Sequence, residues 1–274
     1  MPVVTPNDTI NKSVDFENQN NSKENSTKFM VQLRSVTKTY ANTANALIDA
    51  NLSVKKGEFL FITGPSGSGK STLFKAIMGF VKPINGHVLI KGMSMKKAQK
   101  QNLVAYIPQS EDVDWNFPIS VQDVVMMGRY GYMNLLRIPR KNDHRAVAES
   151  LARTNMSEFK SRQIGELSGG QKKRAFVARA LAQQAQIILL DEPFAGVDIK
   201  TEKALIELLV ELRNMGHTIL ISTHDLSSIS TFCDDVVLIN RTILAYGPTG
   251  AVFTRENIAR TFGGMVPAKG IGNG

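Results

Sequence analysis

The chain has 274 residues, of which 42% are hydrophobic and 21% charged, enough apolar sequence for the core of one large domain or two small ones. No apolar run reaches the roughly 18 residues of a membrane-spanning helix, no secretory signal is visible, and the single Cys233 leaves no internal disulfide, so we expect a cytoplasmic protein. The net charge of +9 suits either a nucleic-acid or anionic-membrane partner or a solvated basic surface, and the shortness of the basic clusters favours the surface.

The two ends of the chain have the composition of flexible tails. Residues 1–28 are rich in Asn, Ser, Thr and Lys without a hydrophobic period, which predicts a disordered tail, and we expect a second flexible tail over residues 263–274. Residues 29–262 form the expected domain. It opens with Val31–Val36 and Ala46–Val54, whose pattern predicts two antiparallel strands joined by a polar turn.

Buried-strand and helix patterns then alternate along the chain. The first predicted helix has an apolar face and ends at Gly79, a second covers Glu202–Asn214, and residues from about 110 to 165 have a helical pattern without a strong strand. The apolar face consists of Leu73, Phe74, Ile77 and Met78, and the predicted strands are Phe59–Ile62, Ile187–Leu190, Thr218–Ser222 and Val236–Ile239. This order predicts an α/β fold with a mainly parallel sheet core, an N-terminal antiparallel β subdomain and an inserted helical subdomain.

A glycine-rich loop lies between the first of these strands and the first helix. It reads Gly64-Pro65-Ser66-Gly67-Ser68-Gly69-Lys70-Ser71, with the spacing Gly-x-x-x-x-Gly-Lys-Ser. Glycines let backbone N–H groups close around phosphate oxygens, and the helix N-terminus adds its dipole. We therefore predict a nucleotide site in which Lys70 reaches the β- and γ-phosphates and Ser71 ligates Mg²⁺.

Two carboxylates end a second buried strand. Asp191 and Glu192 follow Ile187–Leu190, and the C-terminal edge of a parallel sheet is where α/β proteins bind ligands. Asp191 suits a place near Mg²⁺, and Glu192 is placed to take the proton from an attacking water. The alternative is a pair of capping carboxylates before Pro193.

The run Leu167-Ser168-Gly169-Gly170-Gln171 precedes an amphipathic helix that extends through Leu181. Read alone, it is a helix start in which Ser168 is the N-cap. It also suits a second anion site, with N–H groups and the Ser168 hydroxyl directed at phosphate. The five residues alone do not decide between the two readings.

Together these motifs resemble the nucleotide-binding subunit of ABC (ATP-binding cassette) transporters, over about residues 30–262 and in the family's order. The loop Gly64–Ser71 is similar to its Walker A motif, Leu167–Gln171 to its signature sequence and Ile187–Glu192 to its Walker B motif. Four further positions resemble the Q-loop glutamine, the D-loop aspartate, the switch histidine and the adenine-stacking aromatic residue: Gln109, Asp198, His224 and Tyr40. The resemblance implies the P-loop NTPase ABC cassette fold and a Mg²⁺-dependent ATPase.

The resemblance also implies a dimer mechanism. Two copies would pair head to tail, each ATP lying between Gly64–Thr72 of one copy and Ser168, Gly169 and Gly170 of the other. Gln109 would contact Mg²⁺ and the water, and His224 the γ-phosphate. Asp198 would bridge the two sites, and the cycle would drive membrane permease subunits from the cytoplasmic face of the membrane.

Residues around Trp115 bear on the partner and the cargo. The stretch Pro108–Pro118 resembles the ABC subfamily that imports manganese, zinc or ferrous iron, as does Pro193–Asp198. This likeness implies two permeases and an extracytoplasmic metal-binding protein, with manganese preferred to zinc. Trp115 itself suits either a loop anchor in the core or the wall of a groove that receives a short permease helix.

Two other functions remain open on the sequence. A soluble ABC ATPase acting on nucleic acid would suit the positive charge, but such proteins usually carry two cassettes or a long coiled coil, and no sustained heptads lie between Lys70 and Ser168. An exporter subunit would share the same fold. No nucleic-acid partner is expected.

Overall fold

The computed structural model describes residues 29–40, 45–109, 114–115, 117–226 and 233–264. The expected N-terminal tail and most of the expected C-terminal tail lie outside these ranges. An antiparallel sheet begins the fold, with strand order β2-β1-β4-β5. Its strands are β1 (Phe29–Lys38), β2 (Leu47–Lys55), β4 (Asn85–Ile90) and β5 (Met93–Ser94). The predicted antiparallel pair is confirmed, whereas β4 and β5 were not predicted.

A six-stranded sheet forms the centre of the domain, in the order β10-β9-β3-β8-β7-β6. Its strands are β3 (Phe59–Thr63), β6 (Val104–Ile107), β7 (Ile187–Asp191), β8 (Thr218–Thr223), β9 (Asp235–Asn240) and β10 (Thr242–Pro248). All neighbours pair in parallel except β10, which runs antiparallel to β9. The four predicted strands and the mainly parallel core are confirmed, while β6 and β10 were missed.

Helices cover the sheet and connect its strands. They are α1 (Lys70–Met78), α2 (Met95–Lys100), α3 (Val121–Met126), α4 (Lys141–Arg153), α5 (Gly169–Ala182), α6 (Ile199–Asn214), α7 (Thr249–Val252) and α8 (Arg255–Phe262). Short 3₁₀ turns span Met127–Tyr132, Ser157–Phe159 and Ile164–Glu166. No helix in the described ranges is long and apolar enough to cross a membrane.

The central sheet separates two apolar cores because its side chains alternate between its faces. In β3, Phe59 and Phe61 join the core beneath α3–α6, whereas Leu60 and Ile62 join the core shared with α1 and the antiparallel sheet. Because β3, β7 and β8 are parallel, their carboxyl ends lie at the same edge of the sheet, where Thr63 pairs with Thr223. The predicted site residues of β7 and β8 are therefore brought next to the glycine-rich loop.

In the described part of the segment from 110 to 165, the regular elements are helices α3 and α4 and the three 3₁₀ turns, joined by turns and loops. One isolated β-bridge joins Ser120 and Gln163. A buried ion pair joins the 3₁₀ turn Met127–Tyr132 to α4. Arg129 Nε lies 3.0 Å from Asp143 Oδ1, and both side chains are less than a tenth exposed. Arg129 also donates to the carbonyl of Ala182 at the end of α5 (2.8 Å). These contacts attach α4 to α5, while the boundary of a separate helical subdomain remains a prediction.

Candidate functional site

The glycine-rich loop has a backbone that side chains would disrupt. Gly67 and Gly69 have φ angles of +74° and +102°, in the region that favours glycine. A Cβ atom at Gly69 would lie 2.4 Å from the carbonyl oxygen of Ala46, and one at Gly64 would lie 2.0 Å from that of Ile239. The loop is therefore closely packed between β9 and the start of β2, and its backbone faces one small cavity.

Lys70 begins α1 and is almost fully buried. Its ammonium group donates to the carbonyl oxygens of Gly64 (2.8 Å) and Pro65 (3.2 Å). Burial lowers the pKa of Lys70, and the nearby carboxylates of Glu192 and Asp191 oppose that shift. The structure thus places Lys70 within electrostatic reach of both predicted acidic residues.

The cavity above the loop has a volume of about 460 Å³. It is lined by Asn45, Ala46, Gly67, Ser68, Gly69, Lys70, Ser71, Thr72 and Arg241. Within the described ranges, the buried Ser68 hydroxyl has no hydrogen-bond partner, which is uncommon and suits a site for a polar ligand. The glycine backbone, Lys70 and this hydroxyl fit a phosphate group. Arg241 was missed by the sequence reasoning because it follows β9, far along the chain.

Asp191 is fixed by two hydroxyl groups at the end of β7. The Ser222 hydroxyl donates to Oδ1, and the Tyr106 hydroxyl donates to Oδ2 at 3.1 Å. The residue is only 4% exposed, so these donors replace the hydrogen bonds that water would otherwise make with the carboxyl group. Tyr106 was not predicted, because its strand was not.

Glu192 follows directly and has an unusual backbone conformation. Its φ angle of +48° is left-handed, which costs a non-glycine residue about 1–3 kcal/mol and is often found at functional sites. Its N–H donates to the carbonyl of Ser222 (3.1 Å), and its Oε2 lies 2.9 Å from Nδ1 of His224. The Glu192 side chain is 12% exposed and that of His224 66%. The structure therefore brings the predicted base and the predicted switch histidine together.

The signature run forms the N-terminus of α5 as a capping box. Ser168 Oγ accepts from the Gln171 N–H (3.3 Å), and Gln171 Oε1 accepts from the Ser168 N–H (2.9 Å). Ser168 and Gly169 are exposed, whereas Gly170 is buried against Thr201. The predicted helix start is confirmed, and none of these residues lines the cavity above the glycine-rich loop.

The other predicted residues are more dispersed. Asp198 is the exposed N-cap of α6, where hydrogen bonds from the Thr201 hydroxyl (2.7 Å) and N–H (2.9 Å) lower its pKa. Gln109 is half-buried just after β6. Tyr40 is 37% exposed, with the Lys38 ammonium 5.3 Å from its ring centroid, and does not line the cavity.

Lys173 is a second residue that sequence reasoning missed. It is 7% exposed on the inner face of α5, and its ammonium donates to the carbonyl oxygens of Pro193 and Ala195, the latter at 2.9 Å. Burial lowers its pKa to about 8, against the opposing charge of Glu192. The sequence held one signal of its burial, because Lys173 lies on the same helical stripe as the buried residues Gly170 and Val177.

Trp115 is both anchored and part of a groove. Its ring meets Phe176 edge-on at 5.5 Å, and the Lys172 ammonium lies 4.8 Å from the ring centroid. The apolar groove, of about 360 Å³, is lined by Pro108, Asp114, Trp115, Phe117, Ile119, Val124, Met127, Ile164, Phe176 and Arg179. Two of its lining residues, Phe176 and Arg179, come from α5, the helix that Ser168 caps.

Comparison with known proteins places this site in context. Residues 47–195 match the ABC transporter family. The manganese transport system ATP-binding protein MntA of Synechocystis sp. is 63% identical over 86% of this chain and 90% of that protein. The chelated iron transport system membrane protein YfeB of Yersinia pestis is 58% identical over 84% of this chain and 78% of that protein. A dimeric ATP-binding cassette in a post-hydrolysis state with ADP and Pi has a TM-score of 0.69 at 30% identity, over 80% of this chain and 98% of that one.

Proposed function

The chain belongs to the ABC transporter family as an ATP-binding, ATP-hydrolysing subunit, and from that premise we propose that it drives import of a divalent transition-metal ion, with manganese as the first candidate. The 63% identity to a manganese transport ATP-binding protein carries this proposal. Zinc and ferrous iron are the alternatives, and the 58% identity to a chelated iron transport protein keeps iron in the test. The ion need not contact this chain, so uptake is the decisive measurement.

We propose that the phosphates of ATP bind along residues 64–72. The support is a glycine backbone that side chains would block, a buried lysine at its end and a buried hydroxyl without a partner in the described residues. Ser71, Gln109 and Asp191 would hold Mg²⁺, which would neutralise phosphate charge when bound. Tyr106 and Ser222 fix the orientation of Asp191.

Glu192 is the proposed general base. Its carboxylate is nearly buried at the sheet edge, and its left-handed backbone is held by the Ser222 carbonyl, so its direction is set before substrate arrives. It would take the proton of the attacking water. His224, in contact with Glu192 Oε2, would hold the γ-phosphate from the other side.

The complete ATP site is proposed to need two copies of the chain. Ser168 and Gly169 are exposed, and neither they nor Gly170 line the cavity above the glycine-rich loop. One chain therefore offers only half of the expected contacts with ATP. The second copy would supply these three residues, with Asp198 between the two sites and Tyr40 against adenine. The related cassette with ADP and Pi is itself dimeric.

The proposed partners are membrane permeases, with an extracytoplasmic metal-binding protein acting through them, at the cytoplasmic face of the membrane. The groove beside Trp115 is the proposed permease site, because an aromatic, largely apolar groove suits a short amphipathic helix. Part of the groove wall, Phe176 and Arg179, belongs to α5, so a permease helix seated there would contact the helix that Ser168 caps.

The test is ion uptake by vesicles or cells that contain this chain with its permeases. Lys70→Ala should abolish ATP-dependent uptake, whereas Lys96→Ala, at an exposed lysine of α2, should leave it unchanged. Comparison of manganese, zinc and ferrous iron identifies the cargo, and the direction of flux separates import from export. Uptake of all three ions that is unaffected by Lys70→Ala would refute the proposal.

A further inference from the structure

Lys173 occupies a position that helix stability does not explain. It is the fifth residue of α5, on the face that packs against the domain, and it is 7% exposed. Taking an ammonium group out of water is costly unless all its donors are satisfied. A lysine buried at this position therefore requires specific acceptors.

Those acceptors all belong to one turn. The Lys173 ammonium donates to the carbonyl oxygens of Glu192 (3.5 Å), Pro193 and Ala195 (2.9 Å), so its three donors are directed at the main chain just after β7. This turn begins with the strained backbone of Glu192. A single side chain on α5 thus attaches the helix to the segment that orients the proposed base.

The N-terminus of the same helix is also wedged against α6. Gly170 is buried so closely that a Cβ atom would lie 2.1 Å from Cγ2 of Thr201, and Thr201 in turn bonds to Asp198. The segments that carry Ser168, Glu192 and Asp198 therefore meet around one junction, and Lys173 links two of them by hydrogen bonds to main-chain carbonyl oxygens.

From this arrangement we infer that Lys173 is a positioning residue that couples the two ATP sites of the dimer. The inference rests on the proposed function, in which Glu192 acts on the ATP of its own chain while Ser168–Gly170 contact the ATP of the other chain. Within one chain, Lys173 attaches α5, whose N-terminus would contact the ATP of the other chain, to the Glu192 turn, which would act on the ATP of its own chain. A change at either ATP is therefore transmitted to the residues that serve the second ATP.

The test separates the effect of Lys173 on Glu192 from its effect on Ser168–Gly170 by removing the Glu192 carboxylate. In a Glu192→Gln background the proposed base is already absent. Any effect of Lys173→Met on ATP-dependent dimer formation then reports the contact of Ser168–Gly170 with the ATP of the other chain. The concentration of ATP that gives half-maximal dimer should rise at least about tenfold, since one hydrogen bond to a charged group changes affinity by about 10- to 10²-fold. In the chain with Glu192 intact, kcat at saturating ATP should also fall at least about tenfold, which reports the base side.

Two comparisons exclude a merely structural effect. Lys173→Gln retains two N–H donors and should give values between those of the parent chain and Lys173→Met; it decides the matter if the methionine variant melts below the assay temperature. Lys203→Met removes an exposed lysine of α6 and should change neither measurement.

The outcomes are distinguishable. Failure of Glu192→Gln alone to form an ATP-dependent dimer would refute the proposed two-copy site. If that dimer forms and Lys173→Met leaves its ATP dependence unchanged, the coupling role of Lys173 is refuted while the proposed function stands. A fall in kcat without a change in dimer formation would restrict Lys173 to its own base and likewise overturn the coupling.

Discussion

Alanine at position 170 should destabilise the chain through a single contact. The added Cβ would lie 2.1 Å from Cγ2 of Thr201, whereas two carbons pack at about 3.5–4.0 Å. Relief requires α5 to shift or Thr201 to move, and the Thr201 hydroxyl is bonded to Asp198 at 2.7 Å. Overpacking of this kind costs about 1–3 kcal/mol, and the gain from alanine in a helix is at most about 1 kcal/mol. We expect the free energy of unfolding to fall by about 1–2 kcal/mol.

Denaturant unfolding of four chains tests this reasoning: the parent, Gly170→Ala, Thr201→Ser and the double variant. Serine keeps the hydroxyl that bonds to Asp198 but lacks Cγ2, so the double variant should recover most of the lost stability. Gly169→Ala is the matched control, because its Cβ would meet no atom closer than 3.8 Å. The reasoning is refuted if Gly170→Ala is as stable as the parent, or if the double variant is no more stable than Gly170→Ala.

Three further predictions concern the base, a buried acid and the proposed metal ligand. Glu192→Gln should keep ATP binding, lower phosphate release by about 10²–10⁴-fold and accumulate an ATP-bound dimer on size exclusion; hydrolysis at the parent rate would mean that Glu192 is not the base. Burial raises the pKa of Glu58 from 4.5 to about 7, so the unfolded chain loses this proton first and stability falls as pH rises between these values. Glu58→Gln should remove that loss. Between pH 4.5 and 8, the free energy of unfolding of the variant should rise relative to that of the parent by up to about 3 kcal/mol. A difference between variant and parent that does not change with pH would contradict this. Tyr106→Phe removes a hydroxyl bonded to Asp191, so the Mg²⁺ concentration for half-maximal ATPase activity should rise, and an unchanged Mg²⁺ dependence would separate Asp191 from the metal.

Within the central sheet, the strands that the sequence predicted are those with continuous apolar runs. Each residue of β3, β7 and β8 is buried, and such strands read as uninterrupted hydrophobic segments. The strands that were missed are short or half-exposed. In β4 the first three residues are exposed, in β10 none is fully buried, and β6 is four residues long at the edge of the sheet. Their formation depends on neighbouring strands and leaves little local signal.

The residues of the candidate site likewise divide into those that a local sequence pattern predicts and those that it does not. The glycine-rich loop is contiguous, and its spacing alone predicts the strand–loop–helix that is found. Tyr106 lies in β6 and Arg241 in the turn between β9 and β10, and both reach the site only through the order of strands in the sheet. No local pattern could therefore assign them. Lys173 lies two residues beyond the signature run, yet its role depends on carbonyl oxygens about twenty residues further along the chain.

Ser168 shows why a motif residue can have a structural and a functional reading at once. Its oxygen already accepts a hydrogen bond from the Gln171 N–H as the cap of α5. A hydroxyl has two acceptor lone pairs and one donor, so capping uses an acceptor and leaves the O–H able to donate to a phosphate. In the proposed two-copy site, Ser168 would therefore contact the ATP of the other copy without releasing the helix it caps. An aspartate would cap as well but would repel the phosphate, which gives a physical reason for serine at this position.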